Sequence, residues 1–353
     1  MINFISIFLI SISILLVILY VKKSGLIIEH TQNDPRKIHD KEVTRIGGFI
    51  FTSLLYYLLI NSFEKFNFPE LDINTIIIYS FIIFSIGFYE DITNSLSYKI
   101  RVFLLIITIF IFVVSNNFHV YDFDHKIIDL FINSSMYLTL FFSILSIFLL
   151  VNGFNIIDGL NGLAIGISII ILLNISYLSF NSNDFIFLLS TSLLIPSLLL
   201  FAINFCFGEI LLGDGGSYFL GFLISTLCIV SSQYNIIHSL HIACIVFYPA
   251  FEIFFTFLRR ITIDKSSPFL PDEKHLHLMF FTLIKNFNII NEKSNTFKNS
   301  ASSFIILFIF TIINLFMLIF RESINFSLVF ILLIFLYLVM YFFIRKLFIS
   351  VNK

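Results

Sequence analysis

The sequence predicts an all-α fold: a polytopic transmembrane helical bundle of about 11 helices (10–11), with the N-terminus outside and the C-terminus cytoplasmic. Three observations predict it. Apolar residues make up 58% of the 353-residue chain, charged residues only 12%, and mean hydropathy is +1.00. A soluble chain of this length needs far more polar surface. The apolar residues also fall in runs of about 15–21, enough or nearly enough to cross a bilayer core as helix. Finally, the cations are concentrated in alternate loops. No polar block of domain size interrupts the pattern, so residues 1–353 read as one integral membrane domain.

The predicted spans are 3–21, 46–62, 73–89, 102–115, 136–151, 163–180, 185–205, 217–232, 238–258, 303–320 and 327–344. The first lacks a basic region before it and is followed by Lys22 and Lys23, the reverse of a cleavable signal, so it is expected to stay as an anchor. The fourth is short, with room to start near Leu96 and let Lys99 and Arg101 snorkel to the interface. Alternating from an outer amino terminus puts eighteen of the 21 Lys and Arg on the inner side. Only Lys65, Lys126 and Arg321 fall outside. The inner segments are then 22–45, 90–101, 152–162, 206–216 and 259–302, and any chemistry is expected there.

Composition excludes some classes. A net charge of −1 gives no general affinity for nucleic acid. Trp is absent, so an interfacial aromatic belt rests on Tyr. Cys206, Cys228 and Cys244 show neither paired nor metal-like spacing and read as packing residues.

The inner segments carry unusual polar spacing. Arg36, Lys37, Lys41 and Arg45 precede Gly47-Gly48, a set suited to a phosphate polyanion or to lipid headgroups. Glu90-Asp91 closes the third span, where neighbouring carboxylates repel, so that one pKa rises or a cation is recruited. Asn152, Asn155, Asp158 and Asn161 recur every third residue, converging on one helical face beside Gly residues that open the backbone to a ligand. Such amides suit a nucleobase or ribose edge, or else join helices by hydrogen bonds. Gly213-Asp214-Gly215-Gly216-Ser217 opens the eighth span, placing a carboxylate for a hard cation beside helix N–H groups for phosphate. His275 and His277 in the longest inner loop share a face only in extended backbone, and no Cys or third His completes a zinc set. Glu252 is an intramembrane carboxylate after Pro249, a functional candidate by position.

In their order and common side these blocks resemble the polyprenyl-phosphate N-acetylhexosamine-1-phosphate transferases. That family includes bacterial GlcNAc-1-phosphate transferases and phospho-N-acetylmuramoyl-pentapeptide transferases. The resemblance runs from about Asp34 to His277. Its carrying residues are Arg36-Lys37, His39 and Gly47-Gly48; Glu90-Asp91, Leu96-Ser97, Lys99 and Arg101; Asn152, Asn155, Asp158-Gly159 and Gly162-Leu163; Gly213-Asp214 and Gly216-Ser217; and Asp272 with His275-Leu276-His277. Three positions depart from the family pattern: Glu90 where Asp is usual, Asn161 where Asp is commoner, and Leu278 where many members carry a further His. The His-Leu-His pattern is more like the GlcNAc-type branch.

The resemblance implies that a polyprenyl phosphate attacks the β-phosphate of a UDP-N-acetylhexosamine and releases UMP, an early membrane step of cell-envelope polysaccharide synthesis. It implies Mg²⁺ (or Mn²⁺) on Asp214 with Asp91 as a second contact, and Asp91 with Glu90 orienting or deprotonating the lipid phosphate. Asn152, Asn155, Asp158 and Asn161 are then expected on the nucleotide. Arg260, His275 and His277 are expected on the diphosphate-sugar, and Lys37 and Arg45 on phosphate. The expected setting is a bacterial inner membrane with the site facing the cytoplasm; a homodimer is an open option. Double displacement through an aspartyl phosphate is the mechanistic rival. The rival function is an ion-coupled transporter using intramembrane carboxylates, which predicts polar groups at helix centres and an internal repeat.

Overall fold

The computed structural model of the chain describes residues 27–29, 43–63, 73–120, 123, 125–268, 270–286 and 293–351. The predicted span 3–21 and Lys37 lie outside the described residues. Two short strands, β1 (Ile28–Glu29) and β2 (Val43–Thr44), pair antiparallel. Thirteen helices follow among the described residues: α1 (Gly47–Phe63), α2 (Ile73–Thr93), α3 (Tyr98–Asn116), α4 (Lys126–Ile132), α5 (Met136–Ile157), α6 (Leu163–Ser179), α7 (Asp184–Phe207), α8 (Gly213–Gln233), α9 (Ser239–Ile245), α10 (Phe247–Thr262), α11 (Leu276–Lys285), α12 (Asn295–Ile319) and α13 (Phe326–Val351).

Every predicted span from 46–62 onward falls on a helix. Their lengths differ from expectation. Seven helices are long and apolar enough to cross a membrane, or up to eight if the bent pair α9–α10 is one span. The helices at 46–62 and 163–180 are only 17 residues long. The span at 238–258 is broken at Val246, where α9 and α10 meet at 77°. Pro249 has no N–H to continue the α9 ladder, and that accounts for the break. The short helices α4 and α11, in what read as loops, were not expected.

Local sequence explains several helix starts. Ser97, Ser135, Asn183 and Ser294 each accept a backbone N–H at the first residues of α3, α5, α7 and α12. Packing explains the rest. Helix α8 runs through the middle, with 94% of its apolar window buried. It packs against α1, α2, α5 and α6. Peripheral helices instead turn Phe81, Phe103, Phe308 and Phe335 outward, as a lipid-facing surface requires.

Glycine sets the closest approaches to α8. A Cβ on Gly48 would lie 2.5 Å from Gly216, and one on Gly87 would lie 2.5 Å from the Asp214 carbonyl. These small-residue contacts let helix backbones touch, which is where packing energy comes from in a membrane protein. A Gly87→Ala variant must push α2 from the start of α8. Overpacking of this kind costs about 1–3 kcal/mol. We expect a lower thermal midpoint in detergent together with lower activity. An unchanged midpoint would show that α2 and α8 are not held in this contact.

Candidate active site

The start of α8 is built from three directions. Residues 43–48 run beside 209–212: Thr44 donates to the Glu209 carbonyl at 3.1 Å, Leu211 donates to the Thr44 carbonyl at 2.8 Å, and Gly47 donates to the Leu211 carbonyl at 2.9 Å. Gly213 then adopts φ +75°, a left-handed turn that glycine takes without strain. A side chain there would also strike Asp91, whose Oδ2 lies 2.7 Å from the ideal Cβ position. The turn delivers Asp214 into the first turn of α8.

Asp91, only 2% exposed, meets that first turn from α2. Its Oδ1 accepts the Asp214 N–H at 3.0 Å and its Oδ2 accepts the Gly215 N–H at 2.9 Å. Arg45 stands 3.7 Å from the same carboxylate. Asp91 is therefore the N-terminal cap of α8, and both of its oxygens are engaged by backbone.

Asp214 faces a cavity of about 570 Å³. Its Oδ2 is paired with Arg101 from α3, and its Oδ1 accepts the Asn155 amide at 2.9 Å. Asn155 also donates to the Ser217 hydroxyl at 3.1 Å. Glu90, Asn152, Asp158 and Arg45 line the same cavity. Thr256 and Arg260 of α10, Asp272 and His275 of the segment joining α10 to α11, and His277 of α11 line it as well.

The α10–α11 segment is held by charge. Arg259, 1% exposed, pairs with Asp264 and Asp272, and Arg345 donates to Asp264 at 2.7 Å. Arg260 donates to the carbonyls of Leu270 at 2.6 Å and Pro271 at 3.3 Å. Burial pushes the Asp272 carboxyl upward, but His275, Arg259 and the Lys274 N–H outweigh it and hold it below the usual range. His275 sits in extended backbone at the end of this segment, with its ring stacked 5.7 Å from that of His277.

His277 is fully buried, and neither ring nitrogen has a protein partner among the described residues. Burial pushes its pKa down to about 3, with His275 also lowering it and Glu252 opposing. It is therefore a neutral imidazole with one donor and one acceptor offered to the cavity.

Nine of the twelve candidate residues named from sequence meet at this cavity: Arg45, Glu90, Asn152, Asn155, Asp158, Asp214, Arg260, His275 and His277. Asp91 is one layer behind, capping α8. Asn161 is not brought to the wall; it is fully buried and donates its N–H to the Asn299 side chain of α12 at 2.7 Å. Arg101, Tyr98, Thr256 and Asp272 line the cavity and were not singled out as site residues. Arg101 and Asp272 already stood inside recognisable blocks. Tyr98 and Thr256 carry no pattern of their own.

No group of three or more His, Cys, Asp or Glu is gathered for a metal among the described residues. Mg²⁺ does not require one, since it binds through one or two carboxylates, water and substrate phosphate. Asp214 and Asp158 are carboxylates that both line the cavity, the donor type that a hard cation takes.

The glycosyl transferase family 4 profile matches residues 73–232. Over 306 residues the chain is 31% identical to a probable undecaprenyl-phosphate N-acetylglucosaminyl 1-phosphate transferase of Bacillus subtilis, covering 82% of this chain and 83% of the relative. It is 29% identical over 248 residues to the undecaprenyl-phosphate alpha-N-acetylglucosaminyl 1-phosphate transferase of Thermotoga maritima, covering 70% and 71% of the two chains. A shorter match, 37% identical over 134 residues, joins 37% of the chain to 42% of a phospho-N-acetylmuramoyl-pentapeptide-transferase of Dictyoglomus thermophilum. A membrane helical bundle with a polar cavity at its helix ends thus defines a multi-pass enzyme. The chain belongs to glycosyl transferase family 4.

The depressed pKa of His277 sets a pH dependence. Its unfolded value near 6.5 exceeds its folded value of about 3, so the unfolded chain binds more protons between them. Stability is then full above pH 6.5 and lost as pH falls toward 3. Thermal midpoints measured from pH 7.5 to 5 should fall for the wild type and fall less for His277→Gln. Equal slopes would place the titration elsewhere.

Proposed function

We propose that this protein transfers an N-acetylhexosamine-1-phosphate from a UDP-sugar to a polyprenyl phosphate, releasing UMP and leaving the sugar on a polyprenyl diphosphate. The names of the relatives favour GlcNAc as the sugar and undecaprenyl phosphate as the acceptor. The observation that carries the reading is one cavity joining Asp214, Asn155 and Asp158 to Arg260, His275 and His277 at the ends of apolar helices. A lipid phosphate and a water-soluble nucleotide have to meet at such a boundary.

In the reaction, an oxygen of the lipid phosphate forms a bond to the β-phosphorus, and the bond from that phosphorus to the oxygen bridging to the α-phosphate breaks. The electron pair leaves on UMP. Positioning and charge neutralisation suffice, as in phosphoryl transfer generally. Arg101 and Arg45 supply cationic contacts on one wall, and Arg260 supplies one on the other. Neutral His277 donates to, or accepts from, the sugar-phosphate end. Asn155 is bonded to Asp214 and Ser217, which suits orienting Asp214 more than reading a base. Asp91 fixes the backbone that carries Asp214. A Mg²⁺ ion, when bound, would be held by Asp214 with Asp158 and would draw charge from the diphosphate.

The Lys and Arg bias and the bacterial relatives support a multi-pass protein of the inner membrane with the cavity open to the cytoplasm. A transporter reading is less well supported, because the cavity carboxylates lie at helix ends and the named relatives are transferases.

Asp214→Asn keeps shape and hydrogen bonding but removes the charge a hard cation needs. With radiolabelled UDP-GlcNAc, undecaprenyl phosphate and Mg²⁺, turnover to lipid-linked product should fall at least about 100-fold. Near-normal turnover at limiting Mg²⁺ would remove Asp214 from that role.

A further inference from the structure

Behind His275 and His277 lies a buried group that does not itself line the cavity. Glu252, fully buried in α10, accepts the Leu276 N–H at 3.1 Å and stands 3.2 Å from His275 Nδ1, both through Oε1. His275 is the residue before α11 and supplies no capping side chain of its own. Glu252 caps α11 from a different helix and ties down the imidazole in the same contact. Its second oxygen, Oε2, accepts the Tyr337 hydroxyl of α13 at 2.7 Å.

Tyr337 is one of a series on α13. Tyr341, four residues on, donates to the Lys274 carbonyl at 3.0 Å, and Arg345, four further, donates to Asp264 at 2.7 Å. Residues four apart share a helix face. One face of α13 is therefore bonded at three successive turns to Glu252 and to the 263–275 segment. None of Glu252, Tyr337, Tyr341 or Arg345 lines the cavity. They reach it only through the histidine segment.

We propose that Glu252 is a positioning residue for the transfer reaction, held in place by Tyr337 and setting the orientation of His275 at the cavity wall. The inference rests on the transferase reading for its activity assay and on the geometry alone for its chemical assay. Removing a group that holds a site residue in place typically costs about 10–100-fold in activity.

The experiment uses the full chain in detergent or nanodiscs, with Glu252→Gln, Tyr337→Phe, His275→Ala and the double variant Glu252→Gln/His275→Ala. Glu252→Gln should lower kcat/KM for the UDP-sugar about 10–100-fold. Tyr337→Phe keeps the ring packing and should give a smaller loss in the same direction, which keeps the idea testable if Glu252→Gln fails to fold. UMP inhibition should stay within about twofold of wild type. Because Glu252 acts through His275, the double variant should be no worse than His275→Ala beyond about twofold, the ordinary margin of additivity. Independently of turnover, carbethoxylation of His275 by diethyl pyrocarbonate, read by mass spectrometry, should accelerate several-fold in Glu252→Gln. Losses that multiply in the double variant, UMP affinity falling in step with turnover, or an unchanged carbethoxylation rate would each overturn the proposal. A wild-type protein that makes no lipid-linked product from any UDP-N-acetylhexosamine overturns the transferase reading instead; the carbethoxylation rate then decides the positioning claim.

Discussion

The first N–H groups of a helix have no partner inside that helix, and within a membrane-embedded bundle little water is at hand to answer them. Three helices, α6, α8 and α11, follow Gly162, Leu212 and His275, none of which provides a capping side chain. Two of them take a cap from elsewhere in the fold. Asp91 of α2 serves α8, and Glu252 of α10 serves α11. The turn just before α6 is held in a similar way: Asn204 accepts the Gly162 N–H and Asn299 accepts the Asn161 N–H. Other helices carry their own caps: Ser97 for α3, which also starts at the cavity, Ser135 for α5, Asn183 for α7 and Ser294 for α12. Satisfying the helix starts with distant side chains frees their own first residues, Asp214 above all, to face the cavity. It also locks each start to the helix that caps it, because an unanswered buried donor costs about 1–3 kcal/mol.

The two walls are held by different physics. On the Asp214 side, backbone meets backbone at Gly48–Gly216 and Gly87–Asp214, and the fit is steric. On the histidine side, the chain between α10 and α11 is held by charge: Arg259, Arg260 and Arg345 against Asp264, Asp272 and backbone carbonyls. Buried guanidinium–carboxylate networks hold geometry well only when every member is answered, and removing one member exposes the rest.

Much of this was readable in the chain. Apolar run length predicted the helices from 46–62 onward. The contiguous Gly213–Ser217 and Asn152–Asp158 blocks identified residues that do line the cavity, because both motif and function lie within two turns of one helix. What failed to show was partnership across the fold. Asp91 and Asp214 are 123 residues apart, so nothing local reveals that one caps the turn bearing the other. Asn155 and Asn161 share a three-residue period, yet α5 ends at Ile157 and the chain turns, sending Asn155 to Asp214 and Asn161 to α12. Glu252 drew notice as a carboxylate in an apolar run, but its partners on α13 did not. Tyr337 and Tyr341 differ from their neighbours only by a hydroxyl at helical spacing, a weak signal in a helix so uniformly apolar.

The steric wall has a consequence for how such an enzyme can diversify. Where a Cβ on these glycines would lie 2.5 Å from main chain, almost any side chain introduced there displaces a helix, and the displacement reaches Asp214 directly. The opposite wall is a loop whose fastenings are ion pairs, and these can be exchanged in matched sets without shifting a transmembrane helix. Descendants of this architecture are free to rewrite the loop between α10 and α11 while the Gly-Asp-Gly-Gly turn stays frozen, so novelty in the group being transferred should accumulate on one side of the cavity only.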